Sequence, residues 1–289
     1  MKIENLRLEQ REARARSVAT VVWEDCDRPA QEIYFETENQ FAEGFFPNPE
    51  ALLLACIMPA LWHGEARIRV EGSICPDLRD GLTTAMSVMR HWYGLTRDPV
   101  CIEAETRSSA DLHIPPRAGF FFSGGVDSLA TLRLNRLNFP PEHPSYIKDG
   151  LIVYGLEVDQ LHAFEHVLRA LSVIAEDTGI TLVPVYTNER TLEDDWDFWL
   201  DLFEGSVFAS VAHAFRHRLT TVSIASSYDI PNLHHIATHP LLDPNYSSCD
   251  LRIKHDAPAF SRLDKIKILA GWAVALKNLR VCNHSELYE

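Results

Sequence analysis

Gly119-Phe120-Phe121-Phe122-Ser123-Gly124-Gly125-Val126-Asp127-Ser128 reads as the end of a strand, a tight loop and the start of a helix. Residues 119–122 are a short apolar run, and residues 128–138 have helical spacing. Two glycines let the backbone approach a charged group closely and adopt positive φ. A helix N-terminus offers unpaired N–H groups and a partial positive charge to an anion. Ser123 and Ser128 add hydroxyl donors. Asp127 is the odd member, because a carboxylate beside a polyphosphate is repulsive unless a cation lies between them. Mg²⁺ is therefore expected, held through Asp127 and the phosphates. The plainer alternative is a glycine turn that only joins strand to helix. Neither Gly-x-x-x-x-Gly-Lys nor Gly-x-Gly-x-x-Gly occurs in the chain.

Downstream, strands are expected at residues 151–156, 181–186 and 220–225, alternating with helices at 161–176 and 192–218. The first helix places Phe164, Val167, Leu168, Leu171, Ile174 and Ala175 on one side. The second is expected to bury Trp196, Trp199, Leu200, Phe203, Val207, Val211 and Phe215, behind an acidic first turn of Glu193, Asp194 and Asp195. Such alternation implies an α/β fold, a parallel sheet with helices on both faces and right-handed crossovers. Ligands of these sheets sit beyond the carboxyl ends of the strands, where residues 123–128 lie.

Upstream, residues 1–115 read as a small α+β module, divided from residues 116–289 near Ile114-Pro115-Pro116. Strands are expected at 17–23, 31–37 and 66–71, and helices at 49–62 and 78–93. Nothing in this half has catalytic spacing. Acceptor recognition, dimerisation and cover for a sheet edge all remain open for it, and a homodimer stays open for the chain.

Asp and Glu outnumber Lys and Arg by 41 to 27, for a formal charge of −14. Such a surface repels phosphate backbones, so nucleic acid is disfavoured as a partner while a local basic pocket is not. No apolar run approaches the roughly 20 residues of a membrane span. The first 16 residues carry both charge signs, unlike a signal peptide, so a cytoplasmic protein without a membrane partner is expected. The six cysteines lie far apart and form no Cys-x-x-Cys pair.

The hexapeptide 123–128 resembles the PP-loop signature of the N-type ATP pyrophosphatases. That family includes NAD, GMP and asparagine synthetases, tRNA thiolases and 7-cyano-7-deazaguanine synthase. The resemblance spans roughly residue 118 to the C-terminus, with only this loop at motif strength. It implies a HUP-type fold, ATP and Mg²⁺ as ligands, and phosphates cradled by Ser123, Gly124, Gly125, Val126, Asp127 and Ser128. It further implies adenylation of a carboxylate or carbonyl oxygen, followed by attack of a nitrogen or sulfur nucleophile. By position, the adenine would rest against the end of the second strand at residues 154–158, with Leu156 a binding residue. Arg262 and Lys265, one turn apart on a helix face near its start, would point at the phosphates as catalytic cations together with Asp127. A solvated basic face is the alternative for that pair.

The polar stretch after the fourth strand contains Ser226, His239 and Asp243, candidates for contact with the acceptor. Capped loop turns are the alternative. His234, His235, His239 and His255 suggest zinc, but adjacent histidines rarely face one ion. Cys282 falls where relatives of 7-cyano-7-deazaguanine synthase begin a four-cysteine zinc site, yet the Cys-Gly-x-Cys-x-x-Cys segment of those relatives is absent, so no structural zinc is expected. On that placement and on residues 239–244, the resemblance is taken to this branch. The function expected is an AMP- and pyrophosphate-forming, C–N bond-forming ligase acting on a small molecule, with a protein acceptor left open. A tRNA-thiolating enzyme and a non-catalytic ATP sensor are the alternatives.

Overall fold

All four residues of β6 (Ala118–Phe121) are buried, as a strand covered on both faces requires. A computed structural model describes residues 1–107, 114–156 and 160–280. β6 pairs in parallel with β7 (Ile147–Tyr154) on one side and β9 (Thr221–Ala225) on the other. Parallel pairing extends outward to β8 (Thr181–Thr187) and to β10 (Arg252–Asp256). Beyond β8, the sheet continues antiparallel through β3 (Gln31–Glu38), β2 (Arg14–Val22) and β1 (Lys2–Arg11), then parallel through β4 (Arg67–Ile74) and β5 (Cys101–Thr106). The order is β10-β9-β6-β7-β8-β3-β2-β1-β4-β5, a mostly parallel α/β sheet. Strands from both halves of the chain thus share one sheet, joined where Phe35, Glu36 and Thr37 face Thr187, Tyr186 and Val185.

The helices are α1 (Pro49–His63), α2 (Pro76–Tyr93), α3 (Val126–Asn138), α4 (Leu161–Thr178), α5 (Trp196–Phe198), α6 (Glu204–Ala214), α7 (Arg262–Leu269) and α8 (Ala273–Lys277). Side chains alternate across β6, and each face has its own core. Phe121 joins Leu151, Ile224 and residues of α1 and α6. Phe120 and Phe122 join Leu129, Phe164, Leu171 and Trp272 from α3, α4 and the start of α8. α1 is capped by Asn48, whose side chain accepts from the Glu50 N–H at 3.1 Å, and ends at Gly64 with φ +77°. Every side chain from Glu50 to Leu61 is buried, so this helix has no polar face.

The helix expected over residues 192–218 is shorter and irregular. Glu189–Leu192 is a 3₁₀ turn, and Asp195 caps α5 by accepting from the Phe198 N–H at 2.7 Å. A π-helical turn, Trp199–Phe203, joins α5 to α6. A π turn holds more residues than an α turn, so it shifts the face presented to the core. Trp199, Phe203, Val207 and Val211 are buried, whereas Trp196 is 54% and Leu200 38% exposed, contrary to the expectation for those two. Strands β1, β5 and β10 were not expected. In β1 charged residues occupy half of the ten positions, and β10 has a single apolar residue, Ile253, among polar ones. Among the described residues no helix is long and apolar enough to cross a membrane.

Candidate functional site

The strand order reverses at β6, where β7 and β9 leave on opposite sides, and the loop 123–128 lies at the carboxyl end of that strand. A crevice forms at such a point because the helices that follow depart to opposite faces. Gly124 has φ +77°, and a Cβ there would sit 2.7 Å from Leu171 Cδ2, so the loop packs on α4 where only glycine fits. Gly125 is the N-cap of α3 with φ −76°, and its carbonyl accepts from the Leu129 N–H at 3.0 Å and from Ser128 Oγ at 3.1 Å. Ser123 Oγ donates to Ser128 Oγ at 3.2 Å and accepts from the Gly125 N–H at 3.4 Å. No side chain caps α3, which leaves first-turn N–H groups for a ligand.

Asp127, in that first turn, meets two cations: Lys265 Nζ donates to Oδ1 at 3.0 Å, and Arg262 Nη2 forms an ion pair with Oδ2 at 3.0 Å. Lys265 is 1% exposed and also donates to the Ser226 carbonyl, while Arg262 is 57% exposed. A capping box holds the start of α7: Ser261 Oγ accepts from the Asp264 N–H at 3.2 Å, and Asp264 accepts from the Ser261 N–H at 3.3 Å. The spacing that puts Arg262 and Lys265 on one face therefore brings both to Asp127. Arg280 closes the loop from the chain's far end, its N–H donating to the Gly124 carbonyl at 2.9 Å.

These groups border a cavity of about 390 Å³. Ser123, Gly125, Val126, Asp127, Ser128, Arg262 and Arg280 line its loop end, and Phe122, Ile152, Phe164 and Val167 its α4 side. Phe121, Leu151, Trp199, Glu204, Phe208 and Ile224 line the side belonging to the other face of the sheet. Leu156 is on the wall. Residues 157 and 158 of the adenine segment lie outside the described residues, as does Cys282.

The polar stretch behaves differently. Ser226 contributes its carbonyl to Lys265, and its hydroxyl donates to the Tyr228 carbonyl. His239 and Asp243 do not line the cavity. Asp243 is fully buried, bonded to His255 Nδ1 at 2.7 Å and to the His239 N–H at 3.2 Å. Burial pushes its carboxyl up, against the lowering hydrogen bond and charge of His255. His239 is pushed down by burial and then by the charges of His255 and His235. His235 stacks on Trp92 at 4.6 Å and His234 lies against Tyr228, so these histidines face different ways. Among the described residues no three His, Cys, Asp or Glu side chains gather to hold a metal.

Arg280, Glu204, Trp199 and Phe208 are cavity residues that sequence reasoning missed. Arg280 arrives through the fold's return to the loop, and the other three share a face only because of the π turn. No protein-family model, curated protein or solved structure matches the chain.

Proposed function

We propose that the protein is an ATP pyrophosphatase of the PP-loop class, an AMP-forming ligase that adenylates a carboxylate or carbonyl oxygen for attack by a nitrogen nucleophile. The observation that carries this is the meeting of Lys265 and Arg262 at Asp127, beside the Ser123–Ser128 loop and at the point where the strand order reverses. The order β8-β7-β6-β9-β10, with the loop at its reversal, supports a nucleotide site there as it would in any doubly wound sheet.

Open N–H groups of α3, two serine hydroxyls and three cationic side chains suit a leaving pyrophosphate rather than a neutral ligand. The substrate oxygen attacks the α-phosphorus, the bond to the β-phosphate oxygen breaks, and the pyrophosphate departs with the electron pair. Most of the catalysis asked of the protein is charge stabilisation and alignment. Asp127 holds Lys265 and Arg262 in place, so these donors need little reorganisation when charge develops. ATP would enter as its Mg²⁺ complex. A single carboxylate with hydroxyls beside it suits an ion that takes its other ligands from phosphate and water.

Incubation with Mg²⁺, ATP, an ammonium salt and a panel of carboxylate and deazapurine acceptors should give pyrophosphate from the adenylation step and AMP when ammonia displaces it from the adenylated carbon. Asp127→Ala should abolish both, and the exposed Arg262→Ala should lower them without loss of fold. ADP and phosphate in their place would overturn the proposal.

A further inference from the structure

Cys75 and Cys249 lie 174 residues apart in the chain and meet in the fold. Cys75 is fully buried and is the N-cap of α2, though its side chain caps no helical N–H. Its N–H donates to Glu50 Oε1 at 2.8 Å and its carbonyl accepts from the Arg79 N–H at 3.2 Å, which fixes the residue at both ends. Cys249 sits in a turn before β10 that the Ser248 N–H closes onto the Leu251 carbonyl at 2.9 Å. The Cys249 N–H donates to Cys75 Sγ at 3.4 Å, and the Cys249 thiol shares a hydrogen bond with Cys75. The Cys249 sulfur is three bonds from that nitrogen, so rotation about χ1 sweeps it past Cys75 Sγ.

Arg107 Nη1 donates to Cys249 Sγ at 3.6 Å and forms an ion pair with Asp250 Oδ2 at 2.6 Å, so one guanidinium holds the turn by two neighbouring residues. Two thiols in contact would serve packing alone, but packing does not call for a guanidinium on the outer sulfur. A cation there favours the thiolate, which is the reactive form. Burial of the sulfur, then the hydrogen bond and charge of Cys75, push the Cys249 thiol up and outweigh Arg107, so the pair rests as thiols. Cys249 is exposed and Cys75 is buried. That gives an outer thiol to meet an oxidant and an inner one to resolve the product.

We propose that Cys75 and Cys249 form an oxidation site for hydroperoxides, which joins them in a disulfide fastening α2 to the turn before β10. The Cys249 sulfur, as the thiolate, attacks one oxygen of the hydroperoxide. The O–O bond breaks, the other oxygen leaves with the electron pair and takes up a proton, and Cys249 becomes a sulfenic acid. The Cys75 sulfur then attacks the Cys249 sulfur. An S–S bond forms, the S–O bond breaks, and the hydroxyl leaves as water with the proton from Cys75. The two thiols give up two electrons, and the hydroperoxide is reduced to an alcohol and water, or to two waters if it is hydrogen peroxide. The bond crosses the division at residues 114–116 and closes a long loop, the case in which a crosslink restricts the unfolded chain most. The proposal does not depend on the ATP-pyrophosphatase reading.

The test treats the reduced full chain with hydrogen peroxide, blocks remaining thiols with N-ethylmaleimide and digests it without reduction. Mass spectrometry should find the peptides of Cys75 and Cys249 linked. The oxidised protein should melt about 5–10 °C above the reduced one, and dithiothreitol should reverse both changes. Cys249→Ser should abolish the linkage and the shift. Cys75→Ser should do the same, and its hydroxyl suits an N-cap, so it keeps the test decisive if the other variant folds poorly. Cys101→Ser, at an exposed cysteine of β5, should change neither. Recovery of both cysteines as maleimide adducts, sulfinic acid at Cys249 with Cys75 unmodified, a disulfide from either one to another cysteine, or linkage without a rise in Tm would overturn the proposal.

Discussion

At Gly124 φ is +77° and an added Cβ would meet Leu171 at 2.7 Å; at Gly125 φ is −76° and the nearest atom is Ser123 Oγ at 3.5 Å. The two glycines should therefore fail differently. Gly124→Ala should cost about 1–2 kcal/mol, from left-handed strain and the clash with α4, read as a lower Tm. Gly125→Ala should keep the Tm but place a methyl in the cradle, lowering ATP affinity in a direct titration. The cations separate in the same way. Lys265→Met leaves the Ser226 carbonyl and one Asp127 oxygen without a donor and should cost about 1–3 kcal/mol as well as ATP affinity. Arg262→Met, at an exposed side chain, should reduce ATP affinity with little change in denaturant midpoint. The loop and the Arg262–Lys265 face were legible because both are local patterns. Glu204 and Arg280 were not, since neither a π turn nor a long-range return of the chain leaves a periodic trace.

Among the elements, α1, α2 and α4 were legible from their apolar stripes, although α1 is in fact buried all round. Strands β1 and β10 were not, because a strand whose exposed positions are charged looks like loop when only one or two of its residues are fully buried. The 3₁₀ turn after β8 has its own signature, Glu189. This fully buried carboxyl is pushed up to about 8 by burial, which outweighs hydrogen bonds from Ser210 and Thr187. An ordinary carboxyl in the unfolded chain loses its proton near 4.5. From there to about 8 the folded state binds one proton more than the unfolded state, so stability falls as pH rises across that window. Glu189→Gln removes this penalty and can still accept from Ser210. Its Tm should exceed that of the parent at pH 8, and the gain should shrink as pH falls toward 5. A gain of equal size at both ends would mean that Glu189 is ionised throughout.

Across the whole molecule, Glu50 links what the sequence divides at residues 114–116. It lies at the start of α1, is fully buried, and meets Arg107 at 2.7 Å from the first half and His213 and Arg216 at 3.4 Å from α6 and the segment after it. Arg107 forms an ion pair in turn with Asp250 at 2.6 Å, and Asn48 donates to the His213 carbonyl at 2.6 Å. Burial would raise the Glu50 carboxyl, but the hydrogen bond of His213 and the charges of His213, Arg107 and Arg216 prevail and hold it at about 2. Because the folded value is depressed, its stabilisation is complete above the ordinary 4.5 and is lost as pH falls from there toward 2. Glu50→Gln leaves this cluster of cations with a neutral partner and should cost about 3–5 kcal/mol at neutral pH, with a flatter acid limb in a melt series. The same linkage argues that the halves do not melt apart. α1 is buried from Glu50 to Leu61 and packs on α6 as well as on β4, and β3 extends the sheet at β8, so separation would expose an apolar helix face and a strand edge together. Calorimetry of the full chain should show one transition whose van't Hoff and calorimetric enthalpies agree, and Glu50→Gln should lower it without splitting it. Two resolved transitions would mean that residues 1–115 fold as a module of their own.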